Sequence, residues 1–253
     1  MNTLKNKNAL ITGGGSGIGR AIVEELAGLG ARVFIHYHSS RKSAEDLAQE
    51  IKGKGGEAHT GVADLSSEEE VKKLLAQVRE MFGTLDILVN NAGDLVARKS
   101  FENMDLEFFR KLAAVNMDSM MLVSREALPL LRDHGGASII NLSSLAGRKG
   151  GHGGSLAYST AKGAILTFTR ALSVDLAPMG IRVNAVAPGL ILGSRFHQVH
   201  TTEESKKATI SSIPLGRAGT CEDVARAVVF LASEYNGFIT GATLDINGGV
   251  YVC

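Results

Sequence analysis

A phenol and an ammonium stand four residues apart in Tyr158-Ser159-Thr160-Ala161-Lys162. On a helix, that spacing brings both side chains to one face. A tyrosine with a pKa of about 10 exchanges protons poorly at pH 7. A cation held nearby favours the phenolate, lowers that pKa and makes proton transfer to a carbonyl oxygen feasible. Tyr-x-x-x-Lys also arises in many helices for packing reasons, so its neighbours decide its meaning. Ser143 and Ser144 follow the strand-like run Ser138–Leu142, with Ser144 14 residues before the tyrosine. A hydroxyl there can donate to a carbonyl oxygen and steady the charge that develops on it. Asn116 falls in the middle of a helix-length stretch although Asn is a modest helix former, which points to a bend or a held water.

A second set of residues is shaped for a dinucleotide. The first strand candidate runs into Thr12-Gly13-Gly14-Gly15-Ser16-Gly17-Ile18-Gly19 and then into a helix. Glycines permit φ > 0 and let backbone N–H groups close on a pyrophosphate at the helix start. The spacing Gly-x-x-x-Gly-x-Gly differs from the commoner G-x-G-x-x-G, and a tight turn without a ligand is the alternative. In NAD sites an acid about 20 residues further on binds the ribose 2′-hydroxyl. Here the second strand ends Ile35-His36-Tyr37-His38-Ser39-Ser40-Arg41-Lys42, and the nearest acid, Glu45, lies in the next helix. His38, Ser39, Ser40 and Arg41 suit a 2′-phosphate instead, so NADP(H) is expected, with NAD(H) the alternative. Ser39 and Ser40 would equally cap the following helix. Asp64 and Leu65, after the third strand, are expected at the adenine, Asp64 being otherwise an N-terminal helix charge. Asn90, Ala92 and Gly93, closing the fourth strand, are expected where the backbone passes close to the cofactor.

These residues need elements to hold them. Strands are expected over Ala9–Thr12, Arg32–Tyr37, Glu57–Val62, Leu85–Asn90, Ser138–Leu142, Arg182–Ala187 and Thr243–Ile246. Several are apolar without a polar face, as strands covered on both sides are. Helices are expected over Gly19–Leu29, Lys42–Lys54, Glu68–Phe82, Leu106–Arg132, Tyr158–Met179 and Glu222–Ser233. Ser66-Ser67 before Glu68-Glu69-Glu70, and Thr220 before Glu222-Asp223, are capping signatures. Alternation of this kind implies a doubly wound α/β domain: a seven-stranded parallel sheet flanked by helices on both faces. No linker or repeat divides residues 1–253, so a single Rossmann domain is expected. The polar stretch 190–214 breaks the rhythm at the edge where such sheets bind ligands, and is a candidate substrate lid.

Composition agrees. Hydrophobic residues make up 44% of 253 residues and charged residues 21%, enough to bury roughly three quarters of the unfolded surface and unlike a disordered chain. Lys+Arg 27 against Asp+Glu 26 gives +1, which supplies no broad basic field for nucleic acid. Two cysteines make no disulfide framework and fit a reducing compartment. The apolar run Ala9–Ile11 is too short for a signal or a membrane span. A cytoplasmic protein is expected, with no membrane partner and no metal.

Taken together, Thr12-Gly13-x-x-x-Gly17-x-Gly19, Asn90-Asn91-Ala92-Gly93, Asn116, Ser144, Tyr158-x-x-x-Lys162, Pro188-Gly189 and Ile239-Thr240-Gly241…Asn247-Gly248-Gly249 resemble the short-chain dehydrogenase/reductase family along nearly the whole chain. Within it the look is of beta-ketoacyl-acyl-carrier-protein reductases and sugar dehydrogenases. The resemblance implies hydride transfer between a nicotinamide and a carbonyl or secondary alcohol. Tyr158 would be the acid–base and Lys162 would lower its pKa and hold the nicotinamide ribose. Ser144 would orient the carbonyl, with Ser143 the alternative, and Asn116 would anchor a water. Pro188, Gly189 and Ile191 would line the nicotinamide. The family's carboxamide-binding Thr is missing from Leu190-Ile191-Leu192-Gly193-Ser194, leaving Ser194 or the Ile191 backbone for that task. A homotetramer is also implied, through apolar residues such as Met120, Met121, Leu122, Ala164, Leu166, Phe168 and Leu172, with Tyr251–Cys253 at a second interface.

Two departures narrow the substrate. Where acyl-carrier reductases present basic docking residues on the two long helices, this chain has Pro129 and Val174, with Arg125 and Arg170 one turn earlier. Arg98, Lys99, Arg148, Lys149, His152, Arg195, His197 and His200 are expected around the mouth and suit a polar, anionic or polyol substrate. His197 and His200 without a carboxylate partner make a poor metal pair. A sensor that binds the dinucleotide without turnover is the reading from another class, disfavoured because such a binder needs the glycine loop but not Ser144, Tyr158 and Lys162.

Overall fold

The computed structural model describes residues 4–132, 135–193, 203–233 and 237–252. Seven parallel strands form one sheet: β1 Asn8–Ile11, β2 Arg32–Tyr37, β3 Ala58–Val62, β4 Ile87–Asn90, β5 Ser138–Leu142, β6 Arg182–Pro188 and β7 Thr243–Ile246. Their order is β3-β2-β1-β4-β5-β6-β7. The chain winds outward from β1 to β3, returns to β4 and winds out the other way, so β1 and β4 flank the switch point where such sheets open a crevice.

Strands covered on both faces divide their side chains between two cores, because successive residues point to opposite sides. Ile11, Ile35, Val89, Ile140 and Val186 face one core. There they meet α1 (Gly17–Gly28), α2 (Arg41–Gly53) and α9 (Cys221–Ala232) through Ile22, Leu26, Leu47 and Val228. Leu10, Phe34, Leu88, Ile139 and Val183 face the other. That side is covered by α3 (Glu68–Phe82), α5 (Ser119–Leu131) and α7 (Leu156–Leu176) through Leu74, Val78, Val123, Ala127 and Leu176. The register Leu10↔Leu88 and Ile11↔Val89 keeps the two sets in step across the switch point.

The capping residues lie where the sequence places them. Ser67 accepts from Glu70 N at the start of α3, and Thr220 forms a full capping box with Asp223 at the start of α9. The expected helix over Leu106–Arg132 differs. It is divided into α4 (Leu106–Ala113) and α5 by a π-helical turn, Ala114–Asp118, with Asn116 at its centre. Two helices escape the sequence reading: α6 (Leu145–Lys149), one turn long after Ser144, and α8 (Glu203–Ser211), inside the polar stretch. No helix among the described residues is long and apolar enough to cross a membrane.

Candidate active site

The glycine loop is held from behind by two polar side chains. Thr12 Oγ1 donates to Val89 O at 3.2 Å and accepts from the Asn91 and Ala92 amides at 2.9 and 3.0 Å. Asn91 Nδ2 donates to Thr12 O at 2.8 Å and Gly13 O at 3.1 Å. Gly13 adopts φ +63°, where a side chain would be strained. A Cβ on Gly19 would lie 2.2 Å from Gly13 O, so α1 meets the loop at a distance only glycine allows. Ser16 stands at the N-cap of α1 with no side-chain cap bond.

One continuous cavity of about 930 Å³ opens beyond this loop. Gly13, Ser16, Gly17, Ile18 and Gly19 line it, followed by His38, Ser39 and Ser40, then Asp64 and Leu65, then Ala92 and Gly93. Ser144, Tyr158, Lys162, Pro188, Gly189 and Ile191 line its other end. Three expected residues do not line it. Arg41 turns outward, donating from Nε to Glu45 at 2.8 Å with its side chain 75% exposed. Asn90 points into the sheet, donating to Ser124 Oγ and Asn141 Oδ1 at 2.9 Å each. Asn116 is buried behind the wall. Asn91 lines the cavity where Asn90 does not, as strand alternation requires of neighbours. His36, read only as part of a strand, also lines it. Asp64 accepts from the Ser66 hydroxyl at 2.6 Å and its amide at 2.9 Å, which holds its carboxyl below the usual range.

The paired serines separate by function. Ser143 Oγ donates to Lys162 O at 2.7 Å and is spent on α7. Ser144 accepts from Ala146 N, capping α6, and hydrogen-bonds the Tyr158 hydroxyl. Lys162, 4% exposed, donates from Nζ to Leu142 O at 2.9 Å. Asn116 Oδ1 accepts from Asp94 N at 3.1 Å, while its Nδ2 donates to Asp94 O at 2.7 Å and Leu112 O at 3.0 Å. The bend thus ties α4 and α5 to the loop after β4. A Cβ on Gly93 would meet Asn116 Oδ1 at 2.6 Å and Lys162 Nζ at 3.0 Å, so the loop passes directly over both.

The electrostatics depart from the sequence expectation. Burial pushes the Tyr158 phenol up to about 12, opposed by the Ser144 hydrogen bond and reinforced by the charge of Asp94. The Lys162 ammonium lies 5.8 Å from the tyrosine ring centroid and is itself lowered by burial to about 8. Desolvation therefore outweighs the ammonium, and the phenol holds its proton at neutral pH.

The buried lysine has a consequence for stability. Its folded value lies below the ordinary 10.5, so the cost of burying the ammonium is fully present below pH 8. As pH rises towards 10.5, the folded protein sheds a proton that the unfolded chain keeps, and stability increases. The lysine's share of that gain is at most about 3 kcal/mol at about 1.36 kcal/mol per unit. Denaturant unfolding of ligand-free protein at pH 8 and pH 10 is expected to show the gain, and Lys162→Met to abolish it. An unchanged difference in the variant would refute this.

The mouth is less basic than its sequence. Arg148 is bound to Asp245 through two hydrogen bonds, 3.0 and 2.9 Å, and Lys99 pairs with Asp105 at 2.9 Å. Arg98, Lys149 and His152 line the cavity, joined by Lys111. Arg195, His197, His200 and Ser194 lie outside the described residues. Leu190 and Gly219 share a backbone bond at 2.9 Å, anchoring both ends of the segment between them.

The cavity fits a dinucleotide on its own geometry: glycine approaches that a Cβ would fill lie at one end, and a phenol, a hydroxyl and an ammonium at the other. This is the arrangement of a Rossmann oxidoreductase, and the chain belongs to the short-chain dehydrogenase/reductase family of NAD(P)-dependent enzymes. The family described as enoyl-(acyl carrier protein) reductase matches residues 13–251. The 3-oxoacyl-[acyl-carrier-protein] reductase FabG of Staphylococcus aureus is 38% identical over 251 residues, 97% of this chain and 98% of that protein. FabG of Aquifex aeolicus is 39% identical over 249 residues, 98% of each. A short-chain dehydrogenase of Burkholderia cenocepacia, solved in complex with NADP, superposes with a TM-score of 0.91 at 32% identity, covering 98% of this chain and 99% of that one. An NADH-dependent reductase responsible for alginate metabolism, A1-R′, also superposes at 0.91, with 33% identity over 100% of both chains.

Proposed function

We propose that the protein is an NADP(H)-dependent reductase of a carbonyl group on a polar small molecule, with 3-oxoacyl thioesters the first substrates to test. The observation that carries this is the meeting of Ser144, Tyr158 and Lys162 in the same cavity as the glycine loop. A bound nicotinamide dinucleotide supplies the hydride. The chain's own residues do the rest. Tyr158, holding its proton at neutral pH, donates it to the carbonyl oxygen, and Ser144 donates to the same oxygen as negative charge develops. Lys162, which lines the same cavity, would hold the ribose hydroxyls of that dinucleotide and supply a positive charge there. Asn116 locks the bend and the Asp94 backbone behind them. A non-catalytic binder has no use for this arrangement.

NADP(H) is preferred because the end of β2 offers His38, Ser39 and Ser40 to the cavity and no carboxylate. An NAD-linked sugar or polyol dehydrogenase is the second reading, favoured by the outward turn of Arg41 and by the NADH-dependent reductase of similar structure. Carrier docking has little support. Val174 stands 72% exposed where a basic residue would dock the carrier. Arg125 is held by Glu68 and Glu126, and Arg170 donates to Thr167. Arg98, Lys111, Lys149 and His152 along the cavity support a polar or anionic substrate.

The chain would work as one domain whose segment 190–214 covers the substrate, assembled as a cytoplasmic homotetramer. Of the residues expected at an interface, Met120, Leu122 and Leu166 are buried within the chain, while Ala164 remains exposed. Sedimentation at micromolar concentration tests the assembly, a monomer refuting it. A panel of ketones, sugars and 3-oxoacyl thioesters, with NADPH and NADH side by side, tests the reaction. We expect NADPH to be favoured about tenfold or more in kcat/KM. A reversed preference would establish the second reading, and no turnover of any carbonyl would refute both.

A further inference from the structure

His36 is a single imidazole on β2, 1% exposed, and its ring serves the backbone. The Gly13 amide donates to its Nδ1 at 3.1 Å, and its Nε2 lies 3.0 Å from the Ala63 carbonyl. An amide only donates and a carbonyl only accepts, so Nδ1 is bare and Nε2 carries the hydrogen. The ring is neutral and in one tautomer, and burial sustains this by lowering its pKa to about 4. The His36 carbonyl also takes the Gly14 amide at 2.9 Å. One residue thus fixes two successive peptides of the glycine loop, beside the φ +63° of Gly13. Its far nitrogen holds the residue immediately before Asp64 and Leu65, which line the cavity on the other side.

We propose that His36 is a positioning residue for the dinucleotide, a strut that sets the spacing between the glycine loop and the loop over Ala63–Leu65. The proposal rests on the dinucleotide reading above. Asn at this position keeps an acceptor near Nδ1 but falls short of Ala63. Phe fills the space and satisfies neither Gly13 N–H nor Ala63 O, each of which is costly to leave unpaired.

The test is NADPH affinity by fluorescence, with the cofactor-induced rise in melting temperature and steady-state kinetics on the same proteins. His36→Phe is expected to raise Kd about tenfold or more and His36→Asn about threefold, with kcat at saturating NADPH within about twofold of wild type. The rise in melting temperature should shrink in the same order. A side chain that merely filled the core would lower the ligand-free melting temperature and leave Kd alone. Wild-type affinity in the variants would overturn the inference by itself. If His36→Phe fails to fold, the Kd of His36→Asn decides in the same way. Wild-type protein that bound neither NADPH nor NADH would overturn the dinucleotide reading and this inference together, and if it bound only NADH the same variants are read with NADH.

Discussion

Tyr158→Phe is expected to lower turnover by about a hundred- to ten-thousandfold, the range spanned by general acid–base catalysis. Its affinity for NADPH is expected to stay within about twofold. The ring remains in the cavity wall between Ser144 and Lys162, and only the oxygen that carries the transferable proton is lost. Ser144 is hydrogen-bonded to that oxygen and cannot replace it, because an aliphatic hydroxyl is a far weaker acid than a phenol. Initial rates with the best carbonyl substrate, alongside NADPH binding, decide the matter. Activity within tenfold of wild type, with binding intact, would remove Tyr158 from the mechanism.

Gly19→Ala should have the second large effect, on binding and stability rather than on chemistry. Its Cβ would sit 2.2 Å from Gly13 O, 2.6 Å from Asn91 Nδ2 and 2.9 Å from Gly13 C. Two of those atoms are backbone, so either α1 or the loop has to move. We expect a stability loss of about 1–3 kcal/mol, typical of overpacking, and NADPH affinity about a hundredfold weaker, because loop amides displaced by about an ångström no longer meet a phosphate. Gly28→Ala is the control. It lies in the same helix with nothing within 4 Å of its Cβ, and is expected to gain about 0.4–1 kcal/mol. Denaturant unfolding and cofactor titration of both variants provide the check. Equal affinities for the two would show that the close approach at Gly19 has no bearing on the site.

The strands were legible because a doubly covered sheet writes itself as short apolar runs. Ser138–Leu142 and Thr243–Ile246 are bounded in the structure as they are in the sequence. The glycine loop, Tyr158 and Lys162 were legible because their spacing is itself the geometry. What escaped was set by direction rather than by spacing. Asn90 and Asn91 are indistinguishable as letters, yet alternation sends one into the sheet and the other under the glycine loop. His36 looks like any lone histidine in a strand until Gly13 and Ala63 appear at its two nitrogens. The π turn at Asn116 announced itself only as a poor helix former in a helix. Burial at Tyr158 and Lys162 was invisible too, because it depends on how β5 and the loop after β4 close over α7, and it reversed the expected direction of the phenol's pKa.

Arg148 and Asp245 are 97 residues apart in sequence and joined by two charge-assisted hydrogen bonds, with side chains only 15% and 17% exposed. The pair ties the short helix behind Ser144 to β7, the last strand to be made. During synthesis, the half of the sheet that carries the glycine loop has its residues in hand long before the serine's helix finds its tether. Because α1 also packs against α9, both ends of the cavity wait for late residues, and the tether to β7 closes after them as the polypeptide emerges from the ribosome.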